Sequence, residues 1–462
     1  MEAMKEMPNL LLAKTSGFFS RRPNLRPPVV TTDTLDIRIT QRSDIEEAIK
    51  ALRSGIYDEA TTKVHITKST DKKFKSRLYS RLLAAISRIP NLQELSIKGE
   101  LDAWQYNLPL PAGAIRKLLL LSSQTIRRIR LQNVSFVARK RGTSFGQTHP
   151  EAQALFDSMR QLKRLEEIEV TNCSLNFRYD GYVVSNGLKL RHLLLPLAPL
   201  PSLKKIAFSC YGYDPRDQDP ARCILPPFFR SCLSLEELVL SGFPIDEAAW
   251  KDMVPNILQR KCLKKLHLDR CDLTSGCLED FLGLLGPDSP LIDFEFKPCL
   301  SDEASNRWDS LGGFYHIDPS PWGATVDKDT PQLSWRRLLT EAIPDALRSN
   351  TRLRRLRIKA EGRVNMRVPV EIQQPWLGLV EGPGKSLNDF GFSRNDEYYF
   401  HYESEELAAK FELYQKLARY GFRELEVVGE RDRSAIQILS NASEDVPCLF
   451  HILREHPSLC NG

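Results

Sequence analysis

The segment Leu263–Leu273, LKKLHLDRCDL, decides how this chain folds. It follows the spacing L-x-x-L-x-L, and the second half of that spacing alternates apolar and polar residues. Such alternation is typical of a strand with one buried face, because successive side chains point to opposite faces of a sheet. A closely similar segment, LEEIEVTNCSL, occupies Leu165–Leu175. The chain therefore repeats a short strand-forming unit.

The apolar spacing returns ten times along the 462-residue chain, at intervals of roughly 28 to 39 residues with one interval about twice as long. The ten copies begin at Leu92, Ile126, Leu165, Leu203, Leu235, Leu263, Leu291, Leu353, Leu387 and Phe422. Two weaker copies precede them, around Ile37 and Val64. A further match at Leu190 lies too close to the next copy to hold a full repeat, and we interpret it as packing on the convex side.

Segments with helical periodicity separate many of these strands. Apolar residues recur every three or four positions at Phe74, Leu78, Leu82 and Ile86, at Trp250, Val254 and Ile257, and at Leu407, Phe411, Tyr414 and Leu417. A strand, a helix and a second strand of the same sheet require parallel strands joined by a right-handed crossover. The sequence therefore predicts an α/β fold, a solenoid or horseshoe with a parallel inner sheet and outer helices.

With these residues the chain resembles a leucine-rich repeat protein of the ribonuclease-inhibitor-like (RNI-like) superfamily. Cys173 and Cys271 stand where such repeats hold the turn after the strand, although several other repeats lack Asn or Cys there and the repeat lengths are irregular. The resemblance covers about residues 33–462. It implies a recognition scaffold that binds another protein, and it identifies no partner.

The repeats also set the expected domain organisation. Residues 1–32 are expected to form a flexible N-terminal segment, and residues 33–462 the leucine-rich repeat domain. Within that domain, 298–334 is an insertion or a degenerate repeat, and 446–462 is a C-terminal cap. The 298–334 segment is a degenerate repeat, a loop packed at the rim of the sheet, or a direct partner contact, and the sequence leaves these alternatives open.

Charged residues are nearly balanced, with 65 Lys and Arg against 59 Asp and Glu and a net charge of +6. On the predicted inner sheet their sign changes from strand to strand. The order is Arg128 and Arg130, Glu167 and Glu169, Lys205, Glu237, Lys265 and His267, Asp293 and Glu295, Arg355 and Arg357, Asp389, then Glu424 and Glu426. Neighbouring parallel strands would then pair opposite charges. This favours a ladder of solvated pairs or a footprint for a protein over a nucleic-acid surface, which needs uncompensated positive charge.

Aromatic residues give the remaining candidate contacts for a partner. Trp308, Tyr315 and Trp322 lie in the 298–334 insertion, and Tyr398, Tyr399 and Tyr402 lie in an aromatic and acidic segment further on. Aromatic residues are enriched in the energetically dominant parts of interfaces. Packing of the second segment against the following helix is the favoured explanation of its aromatic residues, and an interface is the alternative. With Arg355 and Arg357, these residues form the predicted partner-binding set.

No feature of the sequence indicates an enzyme, a cofactor or a metal site. The nucleophile-elbow, zinc-protease and dinucleotide-binding motifs are missing from the sequence. Cys448, His451, His456 and Cys460 have a spacing similar to that of a zinc knuckle, but the apolar residues between them predict a capping helix instead. We therefore expect no metal and no cofactor.

Export and membrane insertion are not expected either. The N-terminal segment lacks the basic start and long apolar core of a secretory signal, and no apolar run approaches the roughly 18 to 20 residues that span a bilayer. We therefore expect a cytoplasmic or nuclear protein whose ten cysteines are reduced.

The sequence thus predicts a non-enzymatic intracellular scaffold that binds an unidentified protein through its concave sheet and rim loops. The alternative is a substrate-recognition subunit of a ubiquitin ligase, since some such subunits join an F-box to similar repeats. No F-box pattern is evident in Met1 to Gln41. The sequence leaves the oligomeric state open.

Overall fold

The computed structural model divides into two compact units, Met1–Leu188 and Lys189–Gly462, which are described separately. It describes residues 29–30, 33–55, 60–70, 74–99, 108–141, 150–179, 182–187, 190–209, 224–243, 245, 247–258, 262–269, 271, 273, 275–287, 289–296, 341–350, 352–359, 366–368, 377, 389–393, 400–402, 405–419, 439–440, 442 and 445–455. The predicted copy at Phe422 lies outside these residues, and so does the whole 298–334 segment.

The first unit is built on a parallel sheet with helices between its strands. The strands of this sheet are β1 (Val29–Val30), β2 (Thr34–Ile39), β3 (Lys63–Lys68), β4 (Glu94–Gly99), β6 (Arg128–Gln132) and β8 (Glu167–Thr171). They lie in that order, and all pairs are parallel except β1 with β2. The helices are α1 (Arg42–Arg53), α2 (Ser76–Ile86), α3 (Ala112–Leu121) and α4 (Pro150–Ser158), which continues into a short 3-10 helix (Met159–Gln161). The two weak copies at Ile37 and Val64 are therefore real strands.

A second sheet in the first unit was not predicted from the sequence. It contains β5 (Leu108–Pro111), β7 (Val134–Arg141), β9 (Ser174–Tyr179) and β10 (Tyr182–Gly187), in the order β10-β9-β7-β5. Strands β5, β7 and β9 run parallel, and β10 is antiparallel to β9. Each of β5, β7 and β9 follows a strand of the first sheet in the chain.

The second unit repeats the strand and helix alternation. Its parallel sheet contains β11 (Lys205–Ser209), β12 (Glu237–Ser241), β13 (Lys265–Asp269), β14 (Asp293–Phe296), β15 (Arg355–Lys359) and β17 (Asp389–Ser393), in that order. The helices are α5 (Leu190–Leu194), α6 (Leu225–Ser231), α7 (Glu247–Leu258), α8 (Ser275–Gly283), α9 (Ile343–Ser349), α10 (Glu405–Arg419) and α11 (Val446–Glu455). A separate short pair joins β16 (Met366–Val368) to β18 (Phe400–Tyr402). The match at Leu190 is the first residue of helix α5, so it does not begin a strand repeat.

The core of each unit lies on one face of its parallel sheet. In β12 and β13 the residues alternate between half-buried and fully buried, and Leu238, Leu240, Leu266 and Leu268 are the buried ones. The apolar stripe of each intervening helix is also buried, for example Trp250 in α7. Burying such leucine side chains contributes roughly 1.5 to 3 kcal/mol each, which explains why this spacing decides the fold.

The turns after the strands share one backbone geometry. Asn133, Asn172 and Gly242 each follow a strand by one residue and have positive φ angles of 54°, 52° and 77°. The thiol of Cys173 donates to the carbonyl oxygens of Leu131 and Thr171, both at 3.4 Å. Cys271 makes the equivalent contacts, at 3.5 Å to Leu240 and 3.4 Å to Asp269. The predicted turn-holding role of the two cysteines is therefore confirmed.

Candidate functional site

The face of each parallel sheet opposite the core carries most of the charged residues predicted for the inner surface. We call it the open face, and its residues stand at the first, third and fifth positions of the strands. In the second unit the first positions are in register across the sheet, and the residues are Lys205, Glu237, Lys265, Asp293, Arg355 and Asp389. The predicted alternation of charge along this row is confirmed in register.

Asp293 is the centre of the open face in the second unit. His267 Nε2 donates to its Oδ1 at 2.9 Å, while Arg355 Nη1 lies 3.2 Å and Lys265 Nζ 3.9 Å from Oδ2. Its burial acts to raise the pKa of the carboxyl group, but the hydrogen bond from His267 and the nearby cations outweigh burial and hold that pKa below its ordinary value. The side chain of Asp293 is only 17% exposed, and its contacts with His267, Arg355 and Lys265 hold the cluster together.

Glu94 has the same role in the first unit, and its side chain is 8% exposed. Arg130 Nη1 lies 3.3 Å from Glu94 Oε1, and Arg128 Nη1 lies 3.7 Å from Oε2. Both arginines also approach Glu167 on β8. Arg128 Nε lies 3.3 Å from its Oε1, and Arg130 Nη2 lies 3.6 Å from its Oε2. His65 lies between Asp36 and Glu94, at 3.2 and 3.4 Å. Each carboxylate on these central strands is therefore shared between cations of neighbouring strands.

The residues just before the strands pair in the same way. Lys264 Nζ lies 2.7 Å from Glu236 Oε2, and Arg127 Nη1 lies 3.5 Å from Glu166 Oε1. The hydrogen bond from Lys264 lowers the pKa of the Glu236 carboxyl group, and that bond raises the pKa of the lysine. These pairs are more exposed than Asp293, so solvent screens them and each contributes little to the stability of the fold.

The fifth positions of the first unit form a row of different character. In register they are Arg38, Thr67, Lys98, Gln132 and Thr171. This row contains no acidic residue, unlike the first and third rows of the same strands. Arg38 and Lys98 are exposed, and neither makes an ion pair with the residues that the structure describes.

The structure places only part of the predicted partner-binding set. Arg355 and Arg357 lie on β15, opposite Asp293 and Glu295 in register, and both have partners. Tyr402 lies on β18. Trp308, Tyr315, Trp322, Tyr398 and Tyr399 lie outside the described residues, so their contribution stays a prediction.

Sequence reasoning did not identify the open-face residues of β2, β3 and β4, although it predicted these strands. Glu94, His65, Asp36 and Arg38 flank apolar residues of the first strong copy and the two weak ones. The alternation rule applied to those copies would have found them. The rule could not show that Glu94 lies beside Arg128, Arg130 and His65, because that depends on side-chain conformations.

Of the zinc-knuckle-like residues, Cys448 is packed in a small apolar core, and His451 is also buried. Cys448 and Ile452 of α11 pack with Leu417 of α10 and with Ala442. Burial raises the pKa of the Cys448 thiol to about 12, which opposes the thiolate form that binds metals. His456 and Cys460 lie outside the described residues, and among the residues that are described no group of three potential ligands could hold a metal ion.

Known proteins do not identify the chain. No family model matches it, and no curated protein matches it. In the part of the chain that the structure describes, every helix is too short or too polar to cross a bilayer. Any function must therefore be argued from the open face itself.

Proposed function

We propose that this chain is a leucine-rich repeat protein of the RNI-like type that binds a protein partner through the open face of its sheet and the loops at its rim. The single observation behind this proposal is the open face itself. Most of its described strand residues remain at least partly accessible, with Glu94 and Glu295 as buried exceptions, while the opposite face forms the core. A sheet face left accessible over many strands is a broad platform with fixed side-chain spacing.

The pairing of charges favours a protein partner over a nucleic acid. A polynucleotide is held by positive charges that track its phosphates, and its binding releases counterions. Here Glu94 and Asp293 neutralise the arginines and lysines that would serve. Proteins offer charges of both signs, so a mosaic surface complements them.

A small apolar area in the second unit also supports protein binding. Ala207 and Val239 are register partners in the third row, and both are half-buried. His267 follows Val239 in the same row. Lys205 and Glu237 flank the area, with Lys205 Nζ 3.8 Å from Glu237 Oε2. An apolar centre within a polar rim is the usual anatomy of a protein interface.

The turns support the assignment to leucine-rich repeats. Cys173 and Cys271 close the turns after β8 and β13 with the same pair of hydrogen bonds, one to a carbonyl two residues earlier and one to a strand of the preceding repeat, 42 and 31 residues away in sequence. Units with the same packing and the same turn are the physical definition of a repeat array.

A photo-crosslinking residue placed at Val239 tests the proposal. In native lysate we expect it to capture one or a few discrete proteins. The matched control places the same residue at Lys251, an exposed position on helix α7 outside the sheet. Equal capture from both positions, or capture of polynucleotide at Val239, would contradict protein binding by the open face.

A further inference from the structure

We propose that the fifth row of the first unit, Arg38, Thr67, Lys98, Gln132 and Thr171, is a docking site for an extended acidic peptide. This inference rests on the proposed function and specifies the chemistry of the partner at one part of the open face. The row is defined by strand register, so all its members lie along one line across β2, β3, β4, β6 and β8.

Unshared positive charge distinguishes this row from its neighbours. In the first row, Arg128 is shared between Glu94 and Glu167, and in the third row Arg130 contacts Glu94, Glu167 and Glu169. Arg38 and Lys98 have no such acidic neighbour among the described residues and are exposed to solvent. An anion that approaches them displaces only water, whereas at Arg128 or Arg130 it would compete with carboxylates already in place.

Two described carboxylates close to Arg38 in sequence have other partners. Asp36, two residues before Arg38 on the same strand, lies 3.2 Å from His65 Nδ1. Asp44, at the start of α1, accepts hydrogen bonds from the backbone N–H groups of Thr40 and Gln41 at 2.7 and 3.0 Å. These bonds direct both carboxylates to their own partners, and the positive charge of Arg38 stays available.

The other members of the row can all donate a hydrogen bond. Thr67 carries a hydroxyl group between the two cations, and Gln132 and Thr171 add an amide and a second hydroxyl group beyond Lys98. All three are half-buried, so their side chains are partly accessible. A line of donors next to unshared cations suits carboxylates and backbone carbonyl groups of a bound chain.

The spacing of the cations specifies the peptide. Arg38 and Lys98 are two strands apart, which corresponds to roughly 9.6 Å between backbones at about 4.8 Å per strand. An extended chain in the polyproline II conformation advances about 3.1 Å per residue with three residues per turn, so acidic residues three positions apart lie on the same side, about 9.3 Å apart. We therefore expect a partner segment with the pattern acidic-x-x-acidic that crosses the strands.

The experiment uses the full chain and a fluorescein-labelled peptide with glutamate at every third position and serine and alanine between. Fluorescence anisotropy at low ionic strength measures its binding, because exposed charges are screened by salt. The variant Arg38→Glu/Lys98→Glu should lower the affinity by roughly tenfold or more, since two attractions become two repulsions. The milder variant Arg38→Gln/Lys98→Gln should lower it by a smaller factor and guards against misfolding of the first.

A matched control has the same change of charge on a helix. Arg116 and Lys117 are exposed on α3, and Arg116→Glu/Lys117→Glu should change the affinity less than about twofold. A peptide of equal charge with its glutamates in one block should bind more weakly than the spaced peptide. Equal losses in both double variants, no binding to the unmodified protein, or equally tight binding of oligothymidylate would each overturn the proposal.

The proposal and the broader function fail in different ways. If the crosslinker at Val239 captures proteins but the acidic peptide does not bind, the docking site is wrong and the scaffold function stands. If the peptide binds and the crosslinker at Val239 captures nothing, the fifth row is a binding site and the wider open face is not.

Discussion

Asp293 offers the most stringent test of the charge pairing on the open face. Its carboxylate accepts a hydrogen bond from His267 at 2.9 Å and lies 3.2 Å from Arg355 Nη1. Asp293→Asn keeps the size of the side chain and removes the negative charge that lies between Lys265 and Arg355 in the first row. A partly buried hydrogen bond to a charged group contributes about 1.5 kcal/mol or more, and the two exposed cations add a few tenths each. We expect a loss of about 2 kcal/mol in the free energy of unfolding.

Acid should reduce the difference between Asp293→Asn and the unmodified protein. The pKa of Asp293 is lower in the folded chain than its ordinary value of 3.8, so the ionised carboxylate stabilises the fold above that pH. This contribution is lost as pH falls through the lowered pKa. The gap should therefore be largest near neutral pH and should close in strong acid.

Urea unfolding followed by tryptophan fluorescence measures the effect at several pH values. The matched control is Asp345→Asn, which breaks the exposed pair between Asp345 and Arg348 on helix α9. That pair should contribute no more than about 0.5 kcal/mol. If Asp293→Asn costs no more than this control, or if its cost does not depend on pH, the reasoning about the open face is refuted.

Four further predictions concern other parts of the fold. Arg355→Glu places an acidic residue between Asp293 and Asp389 in the first row and should lower the midpoint of urea unfolding. Unchanged stability with lost partner capture would show that Arg355 serves binding alone. Gly99→Ala should cost about 1 to 3 kcal/mol in thermal unfolding, because the new Cβ would lie 2.6 Å from the carbonyl oxygen of Asn133; a neutral result would contradict this close approach. Asn172→Ala should be about 1 kcal/mol less stable than Asn172→Gly, since only glycine accepts the positive φ without strain. Maleimide at neutral pH should label Cys262, which is partly exposed, and spare Cys448, whose thiol pKa is raised to about 12, as mass spectrometry of the native protein can show.

The sequence predicted the parallel sheets well, because their signal is local. Leu266 and Leu268 in β13 must face the core, and strand geometry then places Lys265 and His267 on the other face. The alternation of charge followed from the same rule, since equivalent positions of successive repeats become register partners.

The second sheet of the first unit could not be predicted in this way. Strand β5, with the sequence LPLP, contains two prolines, and β7 ends in the basic run Ala138 to Arg141. Neither has the alternation of a half-buried strand. Their pairing depends on the turn at Asn133, whose side-chain amide donates to the carbonyl oxygen of Gly99 at 2.8 Å, a contact between residues of different repeats.

The candidate site was predicted in part for a similar reason. Arg355 and Arg357 could be found from their motif, whereas the fifth row lies at the end of each strand, beyond the apolar residues that define a copy. Its significance comes from the absence of acidic residues in the row itself across the described strands. Only the register of several strands together reveals that.

The alternating first row of the second unit has a consequence for how the array assembles. Repeats of similar sequence can mispair, and skipping one unit is the simplest error for a folding chain. If β12 paired with β14, Glu237 would stand beside Asp293, and if β13 paired with β15, Lys265 would stand beside Arg355. Either omission brings like charges together, while the native order brings opposites together. The alternating charges of the row therefore favour pairing of each strand with its native neighbour and disfavour pairing with the strand after that neighbour.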